Sequence, residues 1–147
     1  MSIAVKDIMT PDPAVCTPDS PLTEVAKLMV EHDCGEIPVV ASADELRPIG
    51  VITDRDIVVR TLGADLDPMQ RSVRHCMSTP CITVSADATL EDCCELMESQ
   101  QIRRVPVVDD DGTLVGIVAL ADIVNHSSRR TAAEVIKEVS QPAGKPH

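Results

Sequence analysis

One set of residues appears twice in the same order. Met9, Asp19, Leu22, Leu28, Met29, Pro38, Val39 and Val40 return 68 residues later as Met77, Asp87, Leu90, Leu96, Met97, Pro106, Val107 and Val108. Gly50, Asp56 and Ile57 return as Gly116, Asp122 and Ile123, an offset of 66, so the first copy carries two extra residues in the loop 41–48. Such a repeat calls for two like half-folds that cover each other's apolar faces, with two related clefts whose linings are free to diverge. The 147 residues are 44% apolar, enough for one moderate core. Halves of roughly 60 residues are marginal alone, which favours one two-repeat domain over two independent ones. The boundaries read as repeat 1 at 3–62, a linker at 63–72, repeat 2 at 73–126, and a C-terminal helix and tail at 127–147.

Thirteen Lys and Arg against 24 Asp and Glu leave a formal charge of −11, which repels a phosphate backbone and argues against a nucleic acid partner. No apolar run approaches the ~20 residues that cross a bilayer, and the start MSIAVKDIMT lacks the blocks of a secretory signal. A cytoplasmic protein without membrane contact is expected. Cys16, Cys34, Cys76, Cys81, Cys93 and Cys94 form neither a CxxC pair nor zinc-finger spacing and lie mainly in apolar segments, so they read as small buried thiols with no metal site. The rival is a thiol or metal sensor built on His32-x-Cys34 and His75-Cys76, pairs that fall at non-equivalent places in the two repeats. Phe, Tyr and Trp are absent, so a flat base bound here must lie between aliphatic side chains.

Each copy reads β-α-β-β-α, an α+β arrangement with a small sheet and helices on one face. Ala14 to Thr17 and Ile82 to Ser85 are extended. Ser20 and Pro21 are placed as N-cap and N1 of the first helix. Its apolar stripe is Leu22, Val25, Ala26, Leu28 and Met29, matched by Leu90, Cys93, Cys94, Leu96 and Met97. The strands Ile37 to Val40 and Val105 to Val108 each hold a proline, which donates no ladder bond and favours a strand start or edge. Polar turns lead to Ile49–Ile52 and Leu114–Val118, then to helices starting near Thr53 and Ala119. Thr131 to Val139 reads as a short amphipathic helix and Gln141 to His147 as disordered.

The string Gly50-Val51-Ile52-Thr53-Asp54-Arg55-Asp56 sits where a strand runs into a helix N-terminus, a place that suits an anion. Thr53 offers a hydroxyl, Arg55 a guanidinium for phosphate oxygens, and Asp56 an acceptor for the two hydroxyls of a ribose. The same Thr53-x-x-Asp56 also fits a capping box that merely satisfies the helix's own first N–H groups.

A duplicated unit with starts MTPDPAVCTPDSPL and MSTPCITVSADATL, a middle IRRVPVVDDDG and an end GVITDRDIV resembles the cystathionine-beta-synthase (CBS) domain family over roughly residues 3–125. The resemblance implies a tandem pair, or Bateman module, with two β-α-β-β-α CBS repeats packed about a pseudo-twofold axis. It implies a regulatory sensor that binds adenine nucleotides, AMP, ADP or ATP, with Mg as a companion of the phosphate, and that pairs as a homodimer. It also implies crossed clefts, each combining the helix start of one repeat with the first strand and the pre-proline residues of the other. One cleft then joins Thr53, Arg55 and Asp56 with Cys81, Ile82 and Thr83 and with Ile102, Arg103, Arg104, Val105 and Pro106. The other joins Ala119 and Asp122 with Ala14, Val15, Gly35, Glu36, Ile37 and Pro38. The second lacks the hydroxyl and the basic pair, and Glu36 stands where Arg104 stands in the first, so one strong and one weak nucleotide site are expected.

Two other readings compete. An enzyme has little support, because His32, His75 and His126 have no nucleophile or carboxylate in a recognisable catalytic arrangement. A ligand-free structural or protein-interaction module would keep the apolar stripes and show no ligand response. The regulated protein is not identifiable from the chain.

Overall fold

The computed structural model describes residues 3–126 and 129–140, with side chains outside the description at 129–134. The elements run β1 (Thr10–Pro11), α1 (Leu22–His32), β2 (Glu36–Ser42), β3 (Glu45–Thr53), α2 (Asp54–Arg60), β4 (Val84–Ser85), α3 (Leu90–Gln100), β5 (Arg104–Val108), β6 (Leu114–Ala119), α4 (Leu120–His126) and α5 (Arg129–Ser140). The mixed α+β order expected of two like repeats is present.

The chain groups into two compact units. The α1 unit holds Pro13–Ile82 with Gly112–Leu114, and the α3 unit holds the described parts of Met1–Asp12, Thr83–Asp111 and Val115–His147. Each has its own sheet and core. In the α3 unit the strand order is β1-β6-β5-β4, with Thr10 opposite Ile117 (antiparallel) and Val84 opposite Val107 (parallel). In the α1 unit β2 and β3 pair antiparallel, and single bridges join Ser78 to Val51 and Cys16 to Val39. These four pairings are repeat mates, so both units use one sheet plan.

The arms are exchanged. Segment 3–10, at the start of repeat 1, completes the α3 unit: Leu90 N donates to Ile3 O at 2.8 Å and Val5 N to Ala88 O at 2.9 Å. Segment 71–78 does the same for the α1 unit, with Leu22 N to Arg71 O at 3.1 Å, Val73 N to Ser20 O at 2.9 Å and Val51 N to Ser78 O at 3.0 Å. Gly50 and Gly116 permit this closeness: a Cβ would lie 2.5 Å from the Ser78 carbonyl oxygen at Gly50, and 2.5 Å from Met9 Sδ and 2.9 Å from Thr10 O at Gly116. Gly50→Ala is expected to destabilise the fold by about 1–3 kcal/mol, the range for forced overpacking, read as a lower urea midpoint at unchanged slope.

Burial follows the repeat stripes, with differences. Leu22, Val25 and Met29 join Ile37, Val39 and Ile52 in one core, and Leu90, Cys93, Cys94 and Met97 join Val105, Val107 and Ile123 in the other. Ala26, expected in the stripe, is exposed, whereas its mate Cys94 is 5% exposed. The reason is α5, which packs on α3 and places Val135 and Val139 in the same core as Cys94. Helix α1 begins one residue later than expected, with Pro21 as its N-cap. The Ser20 hydroxyl instead accepts from Thr17 N at 3.0 Å. In α3, Thr89 and Asp92 form a full capping box. As expected, Pro38, third in β2 and opposite Val51, sits on an edge strand, since β2 and β3 form a two-stranded sheet. It is tolerated because its neighbour on the other side, around Cys16, pairs through a single bridge, so few ladder donors are required there. The expected tail Gln141 to His147 lies outside the described residues.

Candidate functional site

The junction of β3 and α2 gathers the polar groups of the α1 unit. Thr53 is extended (φ −112°, ψ 162°); its Oγ1 accepts from Asp56 N at 3.0 Å, and Asp56 Oδ2 accepts from Thr53 N at 3.0 Å. The capping box is therefore complete. The helix start is tied to the beginning of β2, because Asp54 N donates to Gly35 O at 3.0 Å. The Asp56 carboxylate has further partners. The Ser78 hydroxyl donates to Oδ1 at 3.2 Å, Arg60 Nε lies 3.9 Å from the same oxygen, and 16% of the Asp56 side chain is exposed. Arg60 also donates through Nη1 to Met77 O at 3.0 Å, so it clamps the 71–78 arm against Asp56. A carboxylate offers about four acceptor directions, so Asp56 can serve as cap and still accept from a ligand.

Ser78 and Arg60 were absent from the residues expected at the site. Their signal was faint: Ser78 is the repeat mate of Thr10, another hydroxyl, and Arg60 lies one helical turn beyond Asp56.

The equivalent junction in the α3 unit is poorer. Ala119 N donates to Asp122 Oδ2 at 2.8 Å, but Ala119 has no hydroxyl to complete the box. Leu120 N donates to Arg103 O at 2.8 Å, the mate of the Asp54–Gly35 bond. His126 occupies the place of Arg60, with Nδ1 2.9 Å from Asp122 O.

Of the residues expected in the strong cleft, Thr53, Arg55, Asp56, Cys81 and Ile82 belong to the α1 unit, and Thr83, Ile102, Arg103, Arg104, Val105 and Pro106 to the α3 unit. Arg55 is exposed beside a surface recess of about 360 Å³ that it lines with Asp54, Val58 and Val59. Arg103 is exposed, its Nη2 3.4 Å from Ser140 Oγ. Arg104 is half-buried, and its Nε is buried without a hydrogen-bond partner among the described residues. An orphaned guanidinium nitrogen is costly enough to require a reason. Of the second set, Ala14, Val15, Ile37 and Pro38 lie in the α1 unit and Ala119 and Asp122 in the α3 unit. Cys16 N donates to Pro38 O at 3.1 Å; the next ladder donor along would be Pro38 N, which has no hydrogen to give the Ala14 carbonyl.

Burial makes Cys16, Cys81, Cys93 and Cys94 poor nucleophiles. Burial pushes Cys16 and Cys93 up to about 12, with Glu24 adding to the first and Cys94 to the second. Burial likewise raises Cys81 to about 11, aided by Glu36, and Cys94 to about 11, aided by Glu98, Glu91 and Glu95. Unfolded thiols lose their protons near 9.0 while these retain theirs, so the folded state loses stability as pH rises from about 9 toward 12. The melting temperature should fall over that window, and less steeply in Cys93→Ala; a flat profile would contradict the burial. Among the described residues no three His, Cys, Asp or Glu side chains stand close enough to hold a metal ion. No helix of the described residues is long and apolar enough to cross a membrane.

Known proteins resemble this chain along nearly its whole length. The CBS domain family model matches twice, at residues 5–62 and 73–129. The CBS domain-containing protein YhcV of Bacillus subtilis is 41% identical over 138 residues, 93% of this chain and 95% of that protein. Hypoxic response protein 1 of Mycobacterium tuberculosis is 35% identical over 137 residues, 93% of this chain and 94% of that protein. A crystal structure of Hypoxic Response Protein I with two coordinated zinc ions superposes with a TM-score of 0.76 at 36% identity, covering 86% of this chain and 100% of that one. The crystal structure of CBSX2 in complex with AMP gives a TM-score of 0.70 at 28% identity, covering 91% and 98%. With the model matched twice in tandem and the sheet plan repeated in both units, the chain belongs to the CBS domain family as a CBS pair.

Proposed function

We propose that this CBS pair is a regulatory module, not an enzyme, that binds an adenine nucleotide in one strong cleft and signals by a change of conformation or partner affinity. Asp56 takes the ribose hydroxyls, Thr53 and Arg55 meet the phosphate, and the Arg103–Arg104 pair neutralises its charge. The adenine lies among Ile82, Val105 and Pro106 in the absence of any aromatic ring. The weaker site around Asp122 lacks a hydroxyl at Ala119 and has Glu36 in place of an arginine. The observation that carries the reading is the inequality of the two junctions: a complete Thr53–Asp56 pair in one, and Ala119 with Asp122 in the other. The AMP bound by CBSX2 supports the ligand class.

A charge-assisted bond is worth roughly 1.5–3 kcal/mol, so Arg104→Ala should weaken AMP binding about tenfold or more in a calorimetric titration. An unchanged Kd would remove Arg104 from the site. Because the chain has no Trp or Tyr, a purified sample should absorb at 260 nm only if it carries nucleotide.

Pairing of two copies belongs to the same proposal. Helix α2 and the turn after it expose Val58, Val59 and Leu62 at 54%, 47% and 62%, an apolar face for a partner copy. Val58→Asp should shift the mass seen in sedimentation to that of one chain; an unchanged mass would move the contact elsewhere.

A further inference from the structure

The two units treat one groove differently. In the α3 unit the groove beside the end of α3 is filled by α5. Gln101 Nε2 donates to Glu138 O at 3.0 Å, Arg103 approaches Ser140 Oγ at 3.4 Å, and Val135 and Val139 enter the core with Met97, against which Ile102 and Leu120 pack. The repeat mates of Met97, Glu98, Gln101, Ile102, Arg103 and Leu120 are Met29, Val30, Asp33, Cys34, Gly35 and Asp54. Those six residues line an open groove of about 570 Å³ in the α1 unit. The backbone frame of the two grooves is the same. Asp33 and Gln101 both end their helices in the left-handed region (φ 49° and 55°), and Cys34 N and Ile102 N donate to Met29 O and Met97 O at 3.0 and 3.1 Å. The difference lies in what covers it: Val30 is 83% exposed and Ala26 is exposed, while the mate of Ala26, Cys94, is buried.

We infer that this groove is a docking site for an amphipathic helix of a partner protein, seated on α1 as α5 is seated on α3. Its chemistry departs from that of α5 in charge. Where the α3 unit has Gln101 and Leu120, the α1 unit has Asp33 and Asp54. The Gln101 amide donates to a carbonyl in the last turn of α5, whereas a carboxylate at the Asp33 position repels the negative end of a helix dipole. The occupant therefore carries Lys or Arg in its last turn, with small aliphatic residues four apart facing Val30. The chain's own α5 is committed to the α3 unit through Val135 and Val139, 1% and 7% exposed, so it is not free to fill the second groove.

The test titrates full-length protein into a fluorescein-labelled peptide of the sequence 129–140 carrying the changes Glu134→Lys and Glu138→Lys, followed by anisotropy. Saturable binding is expected that weakens about tenfold or more in Val30→Lys and in Asp33→Asn/Asp54→Asn. Both variants alter exposed positions, and their unchanged melting temperatures would show intact folds. Absence of binding, or binding indifferent to Val30→Lys, would overturn the inference. A Val30→Lys variant that sediments as a smaller species than wild type would overturn it too, because a second copy of the chain would then be the occupant.

Discussion

Asp56→Ala is expected to abolish the stabilisation that AMP gives the wild type. A ligand at 100 times its Kd that binds only the folded chain adds about 2.7 kcal/mol, or about 5–10 °C in melting temperature for a chain of this size. The ligand-free variant will itself melt lower. Asp56 completes the cap of α2 with Thr53 and accepts from Ser78, and removing a cap costs about 0.5–2 kcal/mol. The informative quantity is thus the increment produced by AMP in each protein, not the absolute midpoint. Asp122→Ala, in the junction with no hydroxyl at Ala119, should keep most of the increment. An increment preserved in Asp56→Ala would leave the Thr53–Asp56 pair as a helix cap and nothing more.

Met97→Ala should be the most damaging of the conservative substitutions. Met97 is 0% exposed and lies in the core that Val105, Ile123 and Val135 share. Truncation there costs about 2–5 kcal/mol through lost transfer energy and the cavity left behind. Domains have about 5–15 kcal/mol in all, so the variant should unfold at much lower urea. Val30→Ala, one residue beyond the equivalent place in α1 and 83% exposed, should be nearly silent in the same experiment. Equal losses at the two positions would contradict the core drawn here.

What was legible in the sequence was whatever depends on neighbours in sequence or on the repeat. The periodic stripes place Val25, Met29, Cys93 and Met97 inside, and the strand-to-helix junctions at Thr53 and Ala119 fall within a residue of their expected positions. Long-range pairing was not legible. The segments 3–10 and 71–78 complete sheets far along the chain, because their backbone donors find acceptors at Ala86, Ala88 and Ser20. No local pattern announces such partners. Ser78 was missed at the site for the same reason, since the arm brings it to Asp56, and Arg60, on α2 itself, because its bond to Met77 O depends on that arm. Ala26 was placed inside because a stripe carries no information about which flank a later helix covers; α5 covers that flank on α3. The Thr53-x-x-Asp56 motif was read as either cap or ribose holder, and the geometry displays the cap in full.

A crystal structure of the protein grown with AMP tests the central proposal most directly. It should place the ribose within hydrogen-bond distance of Asp56 and the phosphate beside Arg103 or Arg104, with the Ala119 junction empty or weakly filled. A nucleotide found only beside Ala119 and Asp122 would contradict the lopsided pair of sites.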